Sequence, residues 1–349
     1  MQQFVRITVE KDRTTTTPPT GGFNSGPKAN PVLNTDYIWV DYGTQTPSIT
    51  QTFTPWNIQS VVPKRGLTSR LSGSEQYKIA GTINTVLYHE QAPFWKKAVL
   101  EPTFDTTSLV QDLPSYCIDR VIVGNGGIVW KDRFTGVKFS QATVTGSNDG
   151  GKAPVTIQAN FVGSTRIDLP DPQLFPGGTS AIPKPGGTTG ELPIKPYRWN
   201  KSTLTLGTGA TAANLDAIIR SWTININHML TERMNKGATV NAIAHHGWNP
   251  TLSAVWDVDS FDFKTKYLAI INGMASVQYP ESNLVLSDLT STGSLTFKWI
   301  NLVLTTLTDN FPVNDFLTQN AQLTPHFDST PASLDLTVAY VAGTTPTTP

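Results

Sequence analysis

Little in this 349-residue chain points to chemistry. It has a single cysteine, Cys117, so no internal disulfide can form, which fits a reducing compartment. Charged residues make up 15% of the chain, against about 25% in ordinary soluble domains. Their signs balance, 26 basic against 26 acidic, so the basic excess of a protein that grips nucleic acid is missing. No apolar run approaches the roughly 18 residues of a membrane-spanning helix. The start, Met1-Gln2-Gln3-Phe4-Val5-Arg6, lacks the charged-then-apolar layout of a secretory signal. A charge-poor surface is a solubility liability for a free monomer. Two readings of the composition stand level. One is a Thr-rich β-protein, because Thr suits strands; the other is a surface covered by neighbours in an assembly.

The motifs that could carry catalysis or ligand binding resolve into structure. Gly207-Thr-Gly209-Ala-Thr-Ala212 follows a strand and has Glu232 some 20 residues on, as a dinucleotide site wants. No βαβ alternation surrounds it, so it reads as a Gly-rich turn between strands. His245-His246 point to opposite faces if extended and cannot share one ion; they read as loop histidines. Asp257, Asp259 and Asp262 lack the glycine and terminal glutamate of a calcium loop and read as carboxylates at a helix start. No Gly-x-Ser-x-Gly elbow is present, and Cys117 sits mid-strand. Paired carboxylates for glycoside hydrolysis stay open, since such acids need not be close in sequence. The nine tryptophans could line a sugar site, though Trp95 and Trp256 have core explanations. No residue is assigned as catalytic, cofactor-binding or metal-ligating, and no cofactor is expected.

What the chain does have is an apparent internal repeat. Residues 75–167 and 251–343 each read as strand, short helix, then a pair of long strands. Phe4–Val9 and Tyr37–Tyr42 are strands, separated by a Thr/Pro/Gly/Asn-rich arm at 11–35, either ordered or floppy. Residues 43–74 read as loop with a possible strand near Ser48–Phe53. Tyr77–Leu87 alternates as a strand. A helix over Glu90–Leu100 follows, with Ala92, Trp95, Ala98 and Val99 on one face and Pro93 in its first turn. Tyr116–Val123 and Ile128–Lys131 flank the hairpin signal Asn125-Gly126, and Arg133–Ser147 and Lys152–Ile167 form the closing pair. In the second copy Ser202–Leu206, Ile218–Asn227 and the Leu252–Val258 alternation are strands, and Leu230–His246 is a loop with some strand character. Ser260–Asn272 is a helix with Phe263, Tyr267, Ile270 and Ile271 as its stripe. Val277–Tyr279 and Leu284–Leu286 are short strands, and Ser294–Asp309 pairs with Ala332–Gly343. The expected domains are 1–175, a Gly/Pro linker 176–196 with Pro-Gly-Gly at 176–178 and 185–187, and 197–349.

These elements resemble the tail tube proteins (major tail proteins) of long-tailed, non-contractile bacteriophages. Ser74–Leu100 is similar to the family's central strand–helix unit. Leu113–Asp119 resembles the segment that opens the next strand, and Phe134–Phe139 through Val155–Gly163 the closing pair. Ile218–Leu230 resembles the first strand of a second module. The resemblance implies a mainly β fold of two tandem β-sandwich or split-barrel modules, each with one short flanking helix. It implies a virion structural protein rather than an enzyme, built in the host cytoplasm into stacked rings that form a hollow channel for double-stranded DNA. With two modules per chain, it implies a homotrimeric ring of pseudo-six-fold symmetry. Its partners would be copies of itself and the tail-tip initiator, tape-measure and tail-terminator proteins, with DNA passing through without specific binding. Polar residues such as Lys138, Ser140, Thr143, Thr145, Thr156, Gln158 and Asn160 could line the lumen. Segments 43–74, 230–247, 11–35 and 344–349 are candidates to reach between rings. Two alternatives stay open: a carbohydrate-binding or hydrolytic β-module of a tail tip, and a tube protein of a contractile tail or secretion-type apparatus. The chain departs from the family layout in its long arm at 11–35 and in the long connection 310–331, which could hold a strand near Phe316–Thr324.

Overall fold

Alternating apolar and polar residues with few helix formers make strands of most of the described residues. The computed structural model describes residues 2–11, 23–41, 48–62, 66–101, 113–124, 127–148, 153–168, 195–207, 213–214, 219–234, 240–257, 278–287, 293–310, 318–326 and 336–343. Eight strands precede the linker: β1 (Gln2–Val9), β2 (Tyr37–Asp41), β3 (Ser48–Val62), β4 (Gly66–Val86), β5 (Tyr116–Gly124), β6 (Gly127–Ser147), β7 (Thr156–Gly163) and β8 (Thr165–Asp168). Eight more follow it: β9 (Ser202–Leu206), β10 (Ala213–Asn214), β11 (Ile219–Met234), β12 (Val240–Asp257), β13 (Gln278–Ser287), β14 (Ser294–Asn310), β15 (Thr318–Pro325) and β16 (Leu336–Val341). The helix α1 (Ala92–Trp95) continues as a π turn through Lys96–Leu100, with Pro93 in its first turn and Ala92, Trp95, Ala98 and Val99 all buried.

Among the described residues every pairing between strands is antiparallel, and the sixteen strands form one continuous sheet. Its backbone is the order β3-β4-β7-β6-β11-β12-β15-β14. One face of this run is apolar, with Ile83, Ile157, Ala142, Ile224, Leu252 and Leu323 fully buried. β6 serves two sets of partners, β5 and β8 along its first half and β7 and β11 along its second. β14 does the same with β13 and β16, then β15.

Several expectations are corrected. Residues 43–74 are not mainly loop: β3 and β4 form a long hairpin. Within Leu230–His246, residues 230–234 and 240–246 are likewise strand, the outer parts of β11 and β12, which pair with each other. The two short strands expected at Val277–Tyr279 and Leu284–Leu286 are one strand, Gln278–Ser287; Pro280 and Glu281, the latter at φ 53°, break the sequence alternation without ending the pairing. The partner of Ser294–Asp309 is divided, because β16 covers Ser294–Trp299 and β15 takes Leu302–Asn310. β15 is the strand inside the 310–331 connection. The described part of the arm is tied to β1: Lys11 N–H donates to Gly26 O, Lys28 N–H to Val9 O, and Asn24 N–H to the Glu10 carboxylate. The helix expected at Ser260–Asn272, arm residues 12–22, linker residues 176–194 and tail residues 344–349 lie outside the described residues.

Candidate assembly surface

The two halves of the chain are stitched by backbone. Ser221–Asn227 of β11 pairs with Ser147–Gln141 of β6 over seven residues. On the apolar side Ala142, Val144, Trp222, Ile224 and Ile226 are buried. Gly146 makes this closeness possible, since a Cβ there would lie 2.6 Å from two atoms of the Trp222 indole. The indole N–H donates to Ser202 Oγ at 3.2 Å. On the polar side Thr143 Oγ1 donates to Asn225 Oδ1 at 2.7 Å, and the Thr145 and Thr223 hydroxyls meet at 3.5 Å.

That polar side extends across the sheet as cross-strand rows of uncharged residues. One row runs Thr82, Asn160, Gln141, Asn227, Asn249. Its members bond one another, Thr82 Oγ1 to Asn160 Oδ1 at 2.8 Å and Asn160 Nδ2 to Gln141 Oε1 at 3.0 Å. A second row runs Thr156, Thr145, Thr223, Ser253, Gln322, Thr306. Charges bordering these rows are paired: Lys78 with Glu232 at 2.5 Å and Asp257 with Arg220 at 2.5 Å. Of the expected polar-face residues, Lys138 is a correction. It is 1% exposed, and its Nζ donates to Ile243 O at 2.8 Å, because the outer β11–β12 hairpin, read from sequence as loop, covers it.

The halves match in detail. β6 carries a bulge at Ser140, between the pairs Phe139–Phe161 and Gln141–Asn160. β14 carries one at Thr305, between Leu304–Leu323 and Thr306–Gln322. In each case the extra residue's hydroxyl donates to the carbonyl of the facing strand, Ser140 to Asn160 O at 3.3 Å and Thr305 to Gln322 O at 3.0 Å. Bulges are placed features that bend a strand and raise its twist. Superposing them matches β4, β6 and β7 with β12, β14 and β15, and β3 with β11. The match has one gap. β11 lies along the outer half of β6, whereas no described strand lies along the same edge of β14 from Leu304 to Asn310.

The β11–β12 hairpin reaches past this sheet onto the first half. Ser164 Oγ donates to Val240 O. His228 is buried; its Nε2 meets Val99 O at 2.8 Å and its Nδ1 faces His245 Nε2 at 3.4 Å. Burial, aided by His245, pushes His228 down to about 4 against the pull of the Val99 carbonyl. Nε2–H therefore donates to Val99 and the ring is neutral at physiological pH. His245 is buried and His246 exposed. The opposite-face geometry holds, but both lie on β12 rather than in a loop.

A buried charge cluster on β1, β5, β6 and β8 escaped sequence reasoning. Asp119, fully buried, bonds Arg6 at 2.7 Å and Arg133 at 2.6 Å. Asp132, equally buried, bonds Arg120 at 2.6 Å and forms an ion pair with Arg166 at 3.3 Å. Opposite charges at positions facing across β5 and β6, Asp119 with Arg133 and Arg120 with Asp132, were the available signal. Glu10, raised by burial against the opposing bonds from Ser115, Gly136, Asn24 and Cys117, sits beside Cys117, whose thiol burial and neighbouring carboxylates push up. A buried, protonated thiol is a poor nucleophile. Asp119 and Asp132 are held by arginines. Among the described residues no group of three or more His, Cys, Asp or Glu could hold a metal ion. Residues 208–212 of the Gly207–Ala212 run lie outside the described residues; β9 and β10 on either side of them pair antiparallel.

Comparison with curated proteins gives no match. Among solved structures, a chain described as "Virion of native gene transfer agent (GTA) particle" is similar at 9% identity, covering 40% of this chain and 95% of that one, with a TM-score of 0.25; at that score the likeness carries no argument. The family of phage tail tube proteins matches residues 14–345, nearly the whole sequence. The chain belongs to the phage tail tube protein family, and it is a structural subunit of a tail tube, a component of a multi-subunit virion particle.

Proposed function

We propose that three copies of this chain close into a ring of pseudo-six-fold symmetry, and that stacked rings form the channel of a long, non-contractile tail. The domains are 1–175 and 197–349, joined by 176–196. The observation that carries this reading is the repeated bulge and pairing pattern, with Ser140 and Thr305 at matching points. A repeat joined edge to edge within one chain supplies the rotation that a ring repeats between chains. Ring closure also removes the exposed strand edges that make a free sheet prone to polymerise.

The uncharged rows are the natural inner wall. A Lys/Arg-lined lumen would exchange counterions with DNA phosphates and hold the genome by a salt-dependent grip; hydroxyls and amides keep the wall wet without that grip. DNA then passes without specific binding. Along the tail the partners are the tip initiator that seeds the first ring, the tape-measure protein inside and the terminator at the end, with assembly in the host cytoplasm. No observation favours a carbohydrate-binding or hydrolytic module. Native mass spectrometry of released rings tests the stoichiometry. Three chains of 38.0 kDa give about 114 kDa (3 × 38.0); a mass of six chains overturns the reading.

A further inference from the structure

The internal repeat predicts the joint between neighbouring copies residue by residue, an inference that rests on the ring reading above. β14 is flanked by β13 only as far as Val303 and by β15 from Leu302 to Asn310. Because both strands pair at Leu302 and Val303, they lie on opposite edges. The edge of Leu304–Asn310 on the β13 side is thus the counterpart of the β6 edge that holds β11. At the far end of the eight-strand run, β3 pairs with β4 and with no other strand among the described residues. It is the counterpart of β11, the strand that fills that edge in the first half.

The registers can be carried over. Thr145 and Asn310 match, because each closes its strand's pairing with the start of β7 or β15 (Thr156, Thr318). Val86 and Asp257 match through the same two residues. Following β12 to β11 and β4 to β3 then matches Thr223 with Ser48 and Asn225 with Thr50. In the existing seam Thr145 faces Thr223 and Thr143 faces Asn225.

We infer that β3 of one copy adds antiparallel to the β13-side edge of Leu304–Asn310 in the next, along which no described strand lies, with Ser48 facing Asn310, Ile49 facing Asp309, Thr50 facing Thr308, Gln51 facing Leu307 and Thr52 facing Thr306. The partner is a second copy of this chain, joined head to tail. Chemistry supports the pairing: the polar side of the internal seam is Gln141, Thr143 and Thr145 against Asn227, Asn225 and Thr223, all uncharged. The proposed side is Thr306, Thr308 and Asn310 against Thr52, Thr50 and Ser48, again all uncharged. No like charges oppose one another, which cross-strand pairs do not tolerate. Thr50 and Thr308 are both exposed in the single chain. A slip of one residue would turn every side chain of β3 to the other face.

Two measurements test it. In the unaltered protein, hydrogen exchange is compared between monomer and assembled tubes. Amides in Thr306–Asn310 and in β3 near Thr50 are expected to slow by roughly tenfold or more on assembly; tubes in which the Thr306–Asn310 amides exchange as in the monomer overturn the joint. In the second, Thr50→Cys is combined with Thr308→Cys, Thr306→Cys or Asn310→Cys and assembled tubes are oxidised. Cys117 is buried and stays. The Thr308→Cys pair is expected to give covalent dimers and trimers in several-fold higher yield than the other two; equal or higher yield from either overturns the register. Unaltered protein that forms no rings or tubes at high concentration sinks the ring reading itself, whereas tubes lacking these signatures sink only the joint.

Discussion

Replacing Gly146 with alanine should weaken the seam between the halves, and its size can be worked from the contact. The added Cβ would lie 2.6 Å from Trp222 Cε2 and Cζ2, about 0.8 Å inside the 3.4 Å at which ordinary contact begins. Trp222 is 1% exposed, and its N–H is held by Ser202. It cannot swing away without losing both burial and that bond. The alternative is for β6 and β11 to part along a ladder of seven residue pairs. Overpacking of this kind costs about 1–3 kcal/mol. With a urea dependence of about 1–3 kcal/mol per molar, the unfolding midpoint should fall by roughly 1 M. Trp222→Ala approaches the site from the other side and should cost about 3–5 kcal/mol. In the double variant the alanine at 146 has no ring to strike, so its added cost should largely vanish. Equal urea midpoints for Gly146→Ala and the unaltered chain, or strict additivity in the double variant, would refute the seam as described.

Acidification should loosen the docked hairpin. His228 has a folded value of about 4 against about 6.5 unfolded, so its contribution is intact above about pH 6.5 and is lost as pH falls toward 4, reaching about 3 kcal/mol at most. Glu10, raised by burial, works in the opposite direction, so the urea midpoints of the unaltered protein and His228→Phe should be compared at pH 7 and 4.5, with a shrinking difference expected and a constant one contradicting the assignment. Asp119→Ala leaves Arg6 and Arg133 facing a vacant anion site and should destabilise by about 3–5 kcal/mol, read by thermal or chemical unfolding; a loss below about 1 kcal/mol would show the cluster to be solvent-compensated. Gln158→Lys with Asn320→Lys places cations on the polar rows and should make tubes retain duplex DNA at about 50 mM salt and release it near 200 mM, measured by co-sedimentation. Retention by unaltered tubes would contradict the neutral wall.

Much of this architecture was legible because strand alternation survives where one face is buried. β6, β7, β9 and β14 show it, and so does the helix face of Ala92, Trp95, Ala98 and Val99. Alternation fails where both faces carry polar residues or where a residue is inserted. The β3–β4 pairing was hidden by Thr- and Ser-rich stretches and by Pro55, which β3 tolerates as the edge of the described sheet. The bulges were visible in hindsight as two polar residues in succession, Ser140-Gln141 and Thr305-Thr306, each interrupting an otherwise regular strand. Lys138 was placed on the polar face by alternation, but the hairpin covering it comes from about 100 residues later, and no local pattern encodes that. The pairing of Asp119 with Arg6 across 113 residues is of the same kind.

The central claim is that each ring contains six similar modules from three chains. End-on images of assembled tubes, averaged without imposed symmetry, test it most directly. Six similar lobes with true three-fold symmetry are predicted; six complete copies of the chain around one ring would contradict the account.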